Sequence, residues 1–169
     1  TLIVQPCASG AQELPEKTLT VTLPQTALLK VDTVSADCTL TGVQTAQLDV
    51  DSVSGALRGD AAVTETLSVD TVSGGASLGL TAAPKKVTGN TVSGVMELAF
   101  EEAPGTVKLD STSGSFALGL PAGAAYQLDW STVSGGCDAS GYQAPEGRSA
   151  KKVRLTANTV SGDLVIYTR

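Results

Sequence analysis

One motif of ten residues recurs seven times along the chain and constrains the fold more than any other feature. The copies read VDTVSADCTL, VDSVSGALRG, VDTVSGGASL, GNTVSGVMEL, LDSTSGSFAL, WSTVSGGCDA and ANTVSGDLVI. Their central serines lie at intervals of 19, 19, 20, 20, 21 and 27 residues: Ser35, Ser54, Ser73, Ser93, Ser113, Ser134 and Ser161. A near-constant period of this size predicts a solenoid, in which each repeat forms one coil.

Positions can be numbered from each central serine, and apolar residues then alternate on both sides of it. Position −6 holds Leu29, Leu48, Leu67, Val87, Val107, Leu128 and Leu155. Position +3 holds Cys38, Leu57, Ala76, Met96, Phe116, Cys137 and Leu164, and +5 holds Leu40, Gly59, Leu78, Leu98, Leu118, Ala139 and Ile166. A period of two predicts β-strands, and nothing in the repeat has helical spacing.

The alternation changes phase near the serine, which a straight strand does not allow. Positions −6, −4 and −2 are expected to face inward, and so are −1, +1, +3 and +5, so the chain turns a corner between −2 and −1. The residues at −1 are Val34, Val53, Val72, Val92, Thr112, Val133 and Val160. The glycine that usually follows the serine is expected to face inward, where a side chain would crowd the neighbouring coils.

These patterns predict an all-β fold, a single-stranded parallel β-helix with about seven coils of roughly 20 residues in one domain. Right-handed winding is expected from the usual chirality of parallel connections. Residues 1–28 would form an N-terminal cap and a partial first coil, in which TLTVTL supplies a strand. Residues 29–140 would form the regular coils, 141–152 a loop insertion rich in Gly, Pro and charge, and 153–169 the last coil.

Composition excludes several classes of protein. The net charge of −6 argues against nucleic acid, and no apolar run is long enough to span a bilayer. The chain has no histidine, which removes the commonest general base and metal ligand. Because it begins with Thr1 and not Met, we expect that an upstream segment with targeting information precedes it.

The most suggestive polar set is position −3: Asp32, Asp51, Asp70, Asn90, Asp110, Ser131 and Asn158. These side chains should point outward, and stacking would bring Asp32, Asp51 and Asp70 within about 5 Å of one another. A bound Ca²⁺ would relieve their repulsion, since it prefers oxygen ligands. The alternative, which we favour, is that each side chain accepts a backbone N–H at the corner as an Asx turn.

The remaining reactive side chains have simpler interpretations. The central serines have no base beside them, so we expect them to form hydrogen bonds at the corner. Cys38 and Cys137 share one inward position five coils apart, more than about 20 Å, and should be core residues that cannot form a disulfide. Cys7, in the predicted cap, is the only thiol expected to be reactive.

Aromatic residues are few. Trp130 and Phe116 fall on inward positions and should be core residues, which leaves Phe100, Tyr126, Tyr142 and Tyr167 as candidate surface rings. Tyr142 lies in the predicted loop with Gln143, Glu146 and Arg148, where binding residues often gather, although a lone loop tyrosine more often packs. The sequence therefore assigns no catalytic, cofactor-binding or metal-ligating residue and predicts no cofactor.

The recurrent TVSG, the early TLTVTLP, the stretch GLPAGAAYQLDWSTVSGG and the closing KKVRLTANTVSGDLVIYTR resemble bacterial adhesin-like β-helical domains of unknown function. The resemblance covers about Leu19 to Arg169. It implies a parallel β-helix in the cell envelope or outside the cell, tethered to the membrane by a segment that precedes these residues. No catalytic residues are established for that family, so none are carried over.

The resulting hypothesis is a non-enzymatic, adhesin-like binding or structural module with a surface protein or glycan as partner. Two alternatives stay open. One is a polysaccharide lyase or hydrolase, for which a concave face with two carboxylates and aromatic rings would be needed. The other is an extracytoplasmic sensor domain.

Overall fold

The computed structural model describes residues 19–142 and 152–169, and every regular element in these ranges is a β-strand. Chain order is β1 (Thr26–Thr33), β2 (Cys38–Ser52), β3 (Leu57–Thr71), β4 (Ala76–Leu80), β5 (Lys86–Thr91), β6 (Met96–Phe100), β7 (Thr106–Ser111), β8 (Phe116–Leu120), β9 (Ala125–Thr132), β10 (Cys137–Gly141), β11 (Lys152–Thr159) and β12 (Leu164–Thr168). All pairings between them are parallel. The predicted all-β solenoid is confirmed.

Each coil has one strand segment before the corner and one after it, and equivalent segments stack. Leu48 pairs with Leu67, and Leu67 with Val87, so position −6 forms a continuous column. After the corner, Leu57, Ala76 and Met96 form an equivalent column at position +3. The inward side chains of the middle coils are almost completely buried, and they form one aliphatic core along the axis of the stack.

The last coil departs from the predicted sequential order. β11 pairs with β7 on one side and β9 on the other, and β12 likewise lies between β8 and β10. The final coil is therefore inserted between the two coils that precede it in the chain. Its inward residues are aliphatic and buried, including Val153, Leu155 and Ile166. The displaced coil carries Tyr126 and Trp130, amphipathic rings that suit the end of the stack, where one side is wet.

The corner also departs from the prediction, at position −1. The valines there point outward and are between 44% and 81% exposed: Val34, Val53, Val72, Val92, Val133 and Val160. The inward run is −6, −4, −2, +1, +3 and +5, with two successive outward residues at −1 and at the serine. The corner thus lies one residue further along than expected, because the chain bends through the Val-Ser pair and not before it.

Some predictions fall on the ends of the stack. Residues 19–24 form no strand, and Leu19 and Val21 are largely exposed, so the strand predicted for TLTVTL is not present in its described part. Residues 1–18, including Cys7, and 143–151, most of the predicted loop, lie outside the described residues. No helix in the described part of the chain is long and apolar enough to cross a membrane.

The glycine at +1 is required by the closeness of neighbouring coils. A Cβ on Gly74 would lie 2.2 Å from the carbonyl oxygen of Gly55 in the preceding coil, and one on Gly94 would lie 2.0 Å from that of Gly74. None of these corner glycines has a positive φ, so the constraint is the contact between coils and not the backbone conformation. The predicted crowding is confirmed.

Two adjacent glycines provide a matched test of this constraint. We expect Gly74→Ala to lower the free energy of unfolding by about 3 kcal/mol, because the backbone of two coils must separate. Gly75→Ala should change it by less than about 0.5 kcal/mol, since its Cβ would lie 3.5 Å from the nearest atom, the Val95 oxygen. Urea denaturation of both variants measures the difference, and equal losses would contradict the role assigned to the corner.

Engineered disulfides can test the inserted coil. Lys108 pairs with Thr156, which in turn pairs with Asp129 on the other side. In a background with all three native cysteines changed to alanine, Lys108→Cys with Thr156→Cys should oxidise to a disulfide, because partners on adjacent strands lie within bridging distance. Lys108→Cys with Asp129→Cys should not, because these residues are two strands apart. Mass spectrometry distinguishes the outcomes, and the opposite pattern would indicate sequential stacking.

Candidate functional site

The polar residues of the motif form hydrogen bonds between coils, as predicted for the serines. The hydroxyl of Ser54 donates to the carbonyl oxygen of Val34 at 3.0 Å, and that of Ser73 donates to Val53 at 3.2 Å. The backbone N–H of each of these serines donates to the same carbonyl oxygen, at 2.8 Å. Each serine thus holds its corner to the preceding coil, a structural task that leaves its hydroxyl engaged.

The inward residues at −2 cap the corner from inside. The hydroxyl of Thr91 accepts the backbone N–H of Gly94 at 2.9 Å, and the same bond joins Ser111 to Gly114 at 2.7 Å. This is the hydrogen bond that the sequence assigned to the aspartates and asparagines at −3 as Asx turns. That prediction is wrong, because the −3 side chains face outward, away from the corner N–H.

The −3 side chains instead bond to one another and to lysines. In spatial order the row is Asp32, Asp51, Asp70, Asn90, Asp110, Asn158 and Ser131. The amide of Asn90 donates to Asp70, and the amide of Asn158 donates to Asp110 at 2.7 Å. Asn158 lies beside Asp110 only because the final coil is inserted there, so the insertion gives Asp110 an amide donor where sequential stacking would place Ser131.

Lys30 supplies positive charge at one end of this row. Its Nζ lies 2.7 Å from an oxygen of Asp51, 3.2 Å from Asp32 and 3.8 Å from Asp49. The Lys30 ammonium lowers the pKa of Asp51, and the carboxylates raise the pKa of Lys30. Carboxylate oxygens of Asp49, Asp51 and Asp70 lie within 4.8 Å of one another, a spacing that a cation would accept. Lys30 already contacts two of these three carboxylates, which weakens the electrostatic reason for a bound Ca²⁺.

The exposed valines and the aspartates form the two sides of a shallow groove along the outside of the corner, which we call the corner groove. One side is Val34, Val53, Val72 and Val92. The other side is Asp32, Asp51, Asp70 and Asn90, and Thr33, Ser52, Thr71 and Thr91 lie between the two sides. The groove encloses about 430 Å³ across four coils. The sequence analysis found the aspartates but assigned the valines to the core, so it missed the groove.

The aromatic residues lie away from the corner groove. Phe100 is completely buried, so its assignment as a surface ring is wrong, while Phe116 is a core residue as predicted. Trp130 is only partly buried, because its coil ends the stack. Tyr167 lies on the opposite outer face, where its hydroxyl donates to Glu97 at 3.0 Å.

Tyr142 packs and does not project. Its ring meets that of Tyr126 edge to face, with centroids 4.7 Å apart, and both rings contact the end of the core. Burial raises the pKa of both phenols. The residues proposed to act with Tyr142, namely Gln143, Glu146 and Arg148, lie outside the described part of the chain.

The cysteines differ from their prediction as core residues. Cys38 is partly buried and Cys137 is exposed, because each belongs to an end of the stack. Both thiols are free, and burial raises the pKa of each. Between them in the stack lie Leu57, Ala76, Met96, Phe116 and Leu164, one strand more than predicted, because of the inserted coil.

Stacked parallel coils, an aliphatic axis and polar rows that serve the corners define a β-solenoid domain. The chain belongs to the Toastrack family, DUF4097, a domain of unknown function whose family model matches residues 18–167. No curated protein and no solved structure matches the chain. The family assignment confirms a β-solenoid domain of unknown function and does not extend to an adhesin.

Removing Lys30 should change the titration of one carboxyl selectively. In Lys30→Gln we expect the pKa of Asp51 to rise towards its ordinary value, because the hydrogen bond from Lys30 is the main cause of its lowering. A carboxyl whose pKa is lowered by folding contributes stability above its unfolded pKa of about 3.9, and the protein loses that stability as the pH falls through the folded value. The variant should therefore lose less stability on acidification than the parent.

Carbon-13 NMR of the aspartate carboxyls measures this change, and Asp110 provides the internal control. Burial alone would raise the pKa of Asp110, but hydrogen bonds from Asn158 and Lys108 lower it. Lys30 contacts neither partner, so the titration of Asp110 should not change in the variant. A parallel change at both carboxyls would indicate a general effect on the fold and would contradict the local pairing.

Proposed function

We propose that this domain is a non-catalytic binding module of the bacterial cell envelope that holds a macromolecular partner against its outer surface. The envelope location and the adhesin-like role rest on the resemblance of the TVSG repeats and the closing segment to bacterial adhesin-like domains. The membrane tether proposed with them belongs to a segment that precedes these residues. The binding role rests on the described surface itself.

The observation that supports binding is the row of exposed valines in the corner groove. Val53, Val72 and Val92 are each about 45% exposed in the middle of the stack, where no chain end explains their exposure. Contiguous apolar surface on a soluble domain commonly marks an interaction site. A stack of coils also presents this row with a fixed spacing of about 4.8 Å, which favours recognition by an equally regular partner.

The groove is less suited to glycoside chemistry. A lyase or hydrolase on a β-helix needs an acid and a base on a concave face, commonly with aromatic rings that hold the sugar. The corner groove has carboxylates on one side only, and valines face them. Within the described residues, the amide of Asn90 donates to Asp70, and the Lys30 ammonium pairs with Asp51 and lowers the pKa of that carboxyl, which stabilises its ionised form. This favours binding over catalysis.

Photo-crosslinking in cells tests this proposal. In the full-length protein, Val72 is replaced by benzoylphenylalanine, and Val165, an exposed valine on the other outer face, is replaced in a matched variant. After irradiation we expect covalent adducts with an envelope component from one or both positions, identified by mass spectrometry. An adduct from Val72 alone would locate the binding surface at the groove.

Two outcomes would contradict the proposed function. Adducts with cytoplasmic proteins only would exclude the envelope location. An absence of adducts from Val72, Val165 and a third position, Glu65, would argue that the outer surface holds no partner. An adduct from Val165 without one from Val72 would keep the binding role and move it away from the corner groove.

A further inference from the structure

The corner groove has a chemical asymmetry that points to one kind of occupant. Its apolar side is built from valine in four successive coils, and its polar side carries three carboxylates in succession, Asp32, Asp51 and Asp70. An occupant must therefore present apolar side chains to one side and positive charge to the other. This inference rests on the proposed binding function and specifies its partner.

The valines are not there only because the backbone requires them. β-Branched residues suit the extended backbone beside the corner, but threonine is β-branched too, and Thr112 occupies this position in one coil. The chain nevertheless carries valine in the other six coils, with methyl groups exposed to water. The row therefore keeps an apolar surface where a polar residue of the same shape would fit.

Within the described residues, Lys30 neutralises only part of the negative charge of these carboxylates. Lys30 is shared by Asp32 and Asp51, and its Nζ lies nearest to Asp51. Asp70 accepts hydrogen bonds from Ser68 and Asn90, which are neutral. The side of the groove therefore carries more carboxylates than ammonium groups, and electrostatic complementarity favours a cationic partner.

The hydrogen bonds of the corner backbone favour a helical partner over an extended peptide. The corner N–H groups already donate to the preceding coil: Val53 to Thr33, Ser54 to Val34, Val72 to Ser52 and Ser73 to Val53. An extended peptide in the groove would gain no main-chain hydrogen bonds, which supply the affinity of strand addition. A helix satisfies its own backbone and needs only side-chain contacts.

Spacing along the axis favours a helix for the same groove. Valines of successive coils are about 4.8 Å apart, whereas side chains on one face of a strand repeat at about 6.7 Å. An α-helix advances about 5.4 Å per turn, so its successive turns stay close to successive coils over the four coils of the groove. A helix of about 10 to 12 residues covers that length.

We propose that the corner groove binds a basic amphipathic α-helix of a protein partner, whose apolar stripe packs on Val53 and Val72 while lysine or arginine side chains pair with Asp51 and Asp70. The helix lies parallel to the solenoid axis. Its basic side chains can reach the aspartates from solvent, because Asp51 and Asp70 lie on the outer face and are only partly buried.

Two designed peptides of identical composition test the helix. One 14-residue peptide has leucine and lysine at helical spacing, with one apolar face and one basic flank, and the other has the same residues in strict alternation. Fluorescence anisotropy with the whole chain should show that the helical peptide binds at least about tenfold more tightly at moderate salt. Its affinity should fall as salt rises, because the paired charges are exposed. Equal affinities would overturn the proposal, since charge alone would explain them.

Variants then locate the site, using residues that the chain already carries in the same rows. The double variant Val53→Thr with Val72→Thr introduces the residue found at Thr112. It should weaken binding of the helical peptide about five- to tenfold, because apolar contact is lost at two coils. Asp70→Asn, which introduces the residue found at Asn90, should weaken it about three- to fivefold and reduce the salt dependence. Thermal melts of each variant should match the parent.

Matched controls are Val165→Thr on the other outer face and Asp129→Asn on the coil that ends the stack; both native residues are exposed. Both controls should bind the helical peptide as the parent does. Equal weakening by the control variants would overturn the proposal, and so would full affinity in the groove variants.

A glycan occupant would be revealed if chitohexaose bound and Val53→Thr with Val72→Thr abolished its binding while the binding of the peptide was unaffected. Adducts from Val165 in the crosslinking experiment, without peptide binding here, would leave the binding function in place and remove only the helix.

Discussion

The contact between the backbones of successive corners is the constraint on which the rest of the structure depends. Each corner glycine lies so close to the carbonyl of the preceding coil that a Cβ would stand about 2 Å from its oxygen. This closeness also lets the serine hydroxyl and N–H reach the same carbonyl, and it keeps the hydroxyls at −2 in a buried column. Since every corner uses the same contact, the coils share one register, and the polar and apolar rows follow from it.

The first described corner lacks the glycine, and it also lacks a described coil stacked before it. Ala36 occupies the position that glycine holds in the other six coils, where that position faces the carbonyl of the adjacent coil. Ala36 is exposed, and none of the described residues stacks on that side. A methyl group is tolerated at this position because no coil of the described range 19–142 stacks against it. The glycines therefore follow from coil stacking and not from the motif as such.

Much of the fold could be predicted because a repeat reports the same environment several times. Alternation at −6, −4, +3 and +5 identified the core columns, and the serines and glycines were correctly assigned to the corner. The valines at −1 were misassigned because the sequence does not distinguish a valine on the outer face from a valine in the core. The hydroxyls at −2 explain the difference: Thr91 and Thr159 are polar yet buried, since each accepts the backbone N–H of its corner glycine. An assignment by hydropathy alone places the valines at −1 in the core and the hydroxyls at −2 on the surface, which is the reverse of the structure.

The order of the last coils depends on interactions that the repeat does not encode. Seven similar motifs predict which residues of each coil are equivalent, but they do not say which coil lies beside which. The choice depends on the composition of whole coils: Leu155 and Ile166 fit an interior place, whereas Trp130 and Cys137 fit an end with one open side. The 27-residue interval before Ser161 was the one visible signal, because a chain that steps back past a coil needs a longer connection.

The inserted coil also affects the outer surface, and this connects the topology to the proposed binding. Sequential stacking would place Ser131 beside Asp110, whereas the insertion gives Asp110 an amide donor in Asn158. Together with Lys108, which lies 2.7 Å from Asp110, this neutralises the row towards that end of the stack. Thr112 interrupts the valine row in the same coil as Asp110. In the described part of the stack, an excess of carboxylates over ammonium groups and a continuous apolar surface therefore coincide across the first four coils, where the corner groove lies. A partner that needs both finds them in one place, although the motif itself runs the whole length of the solenoid.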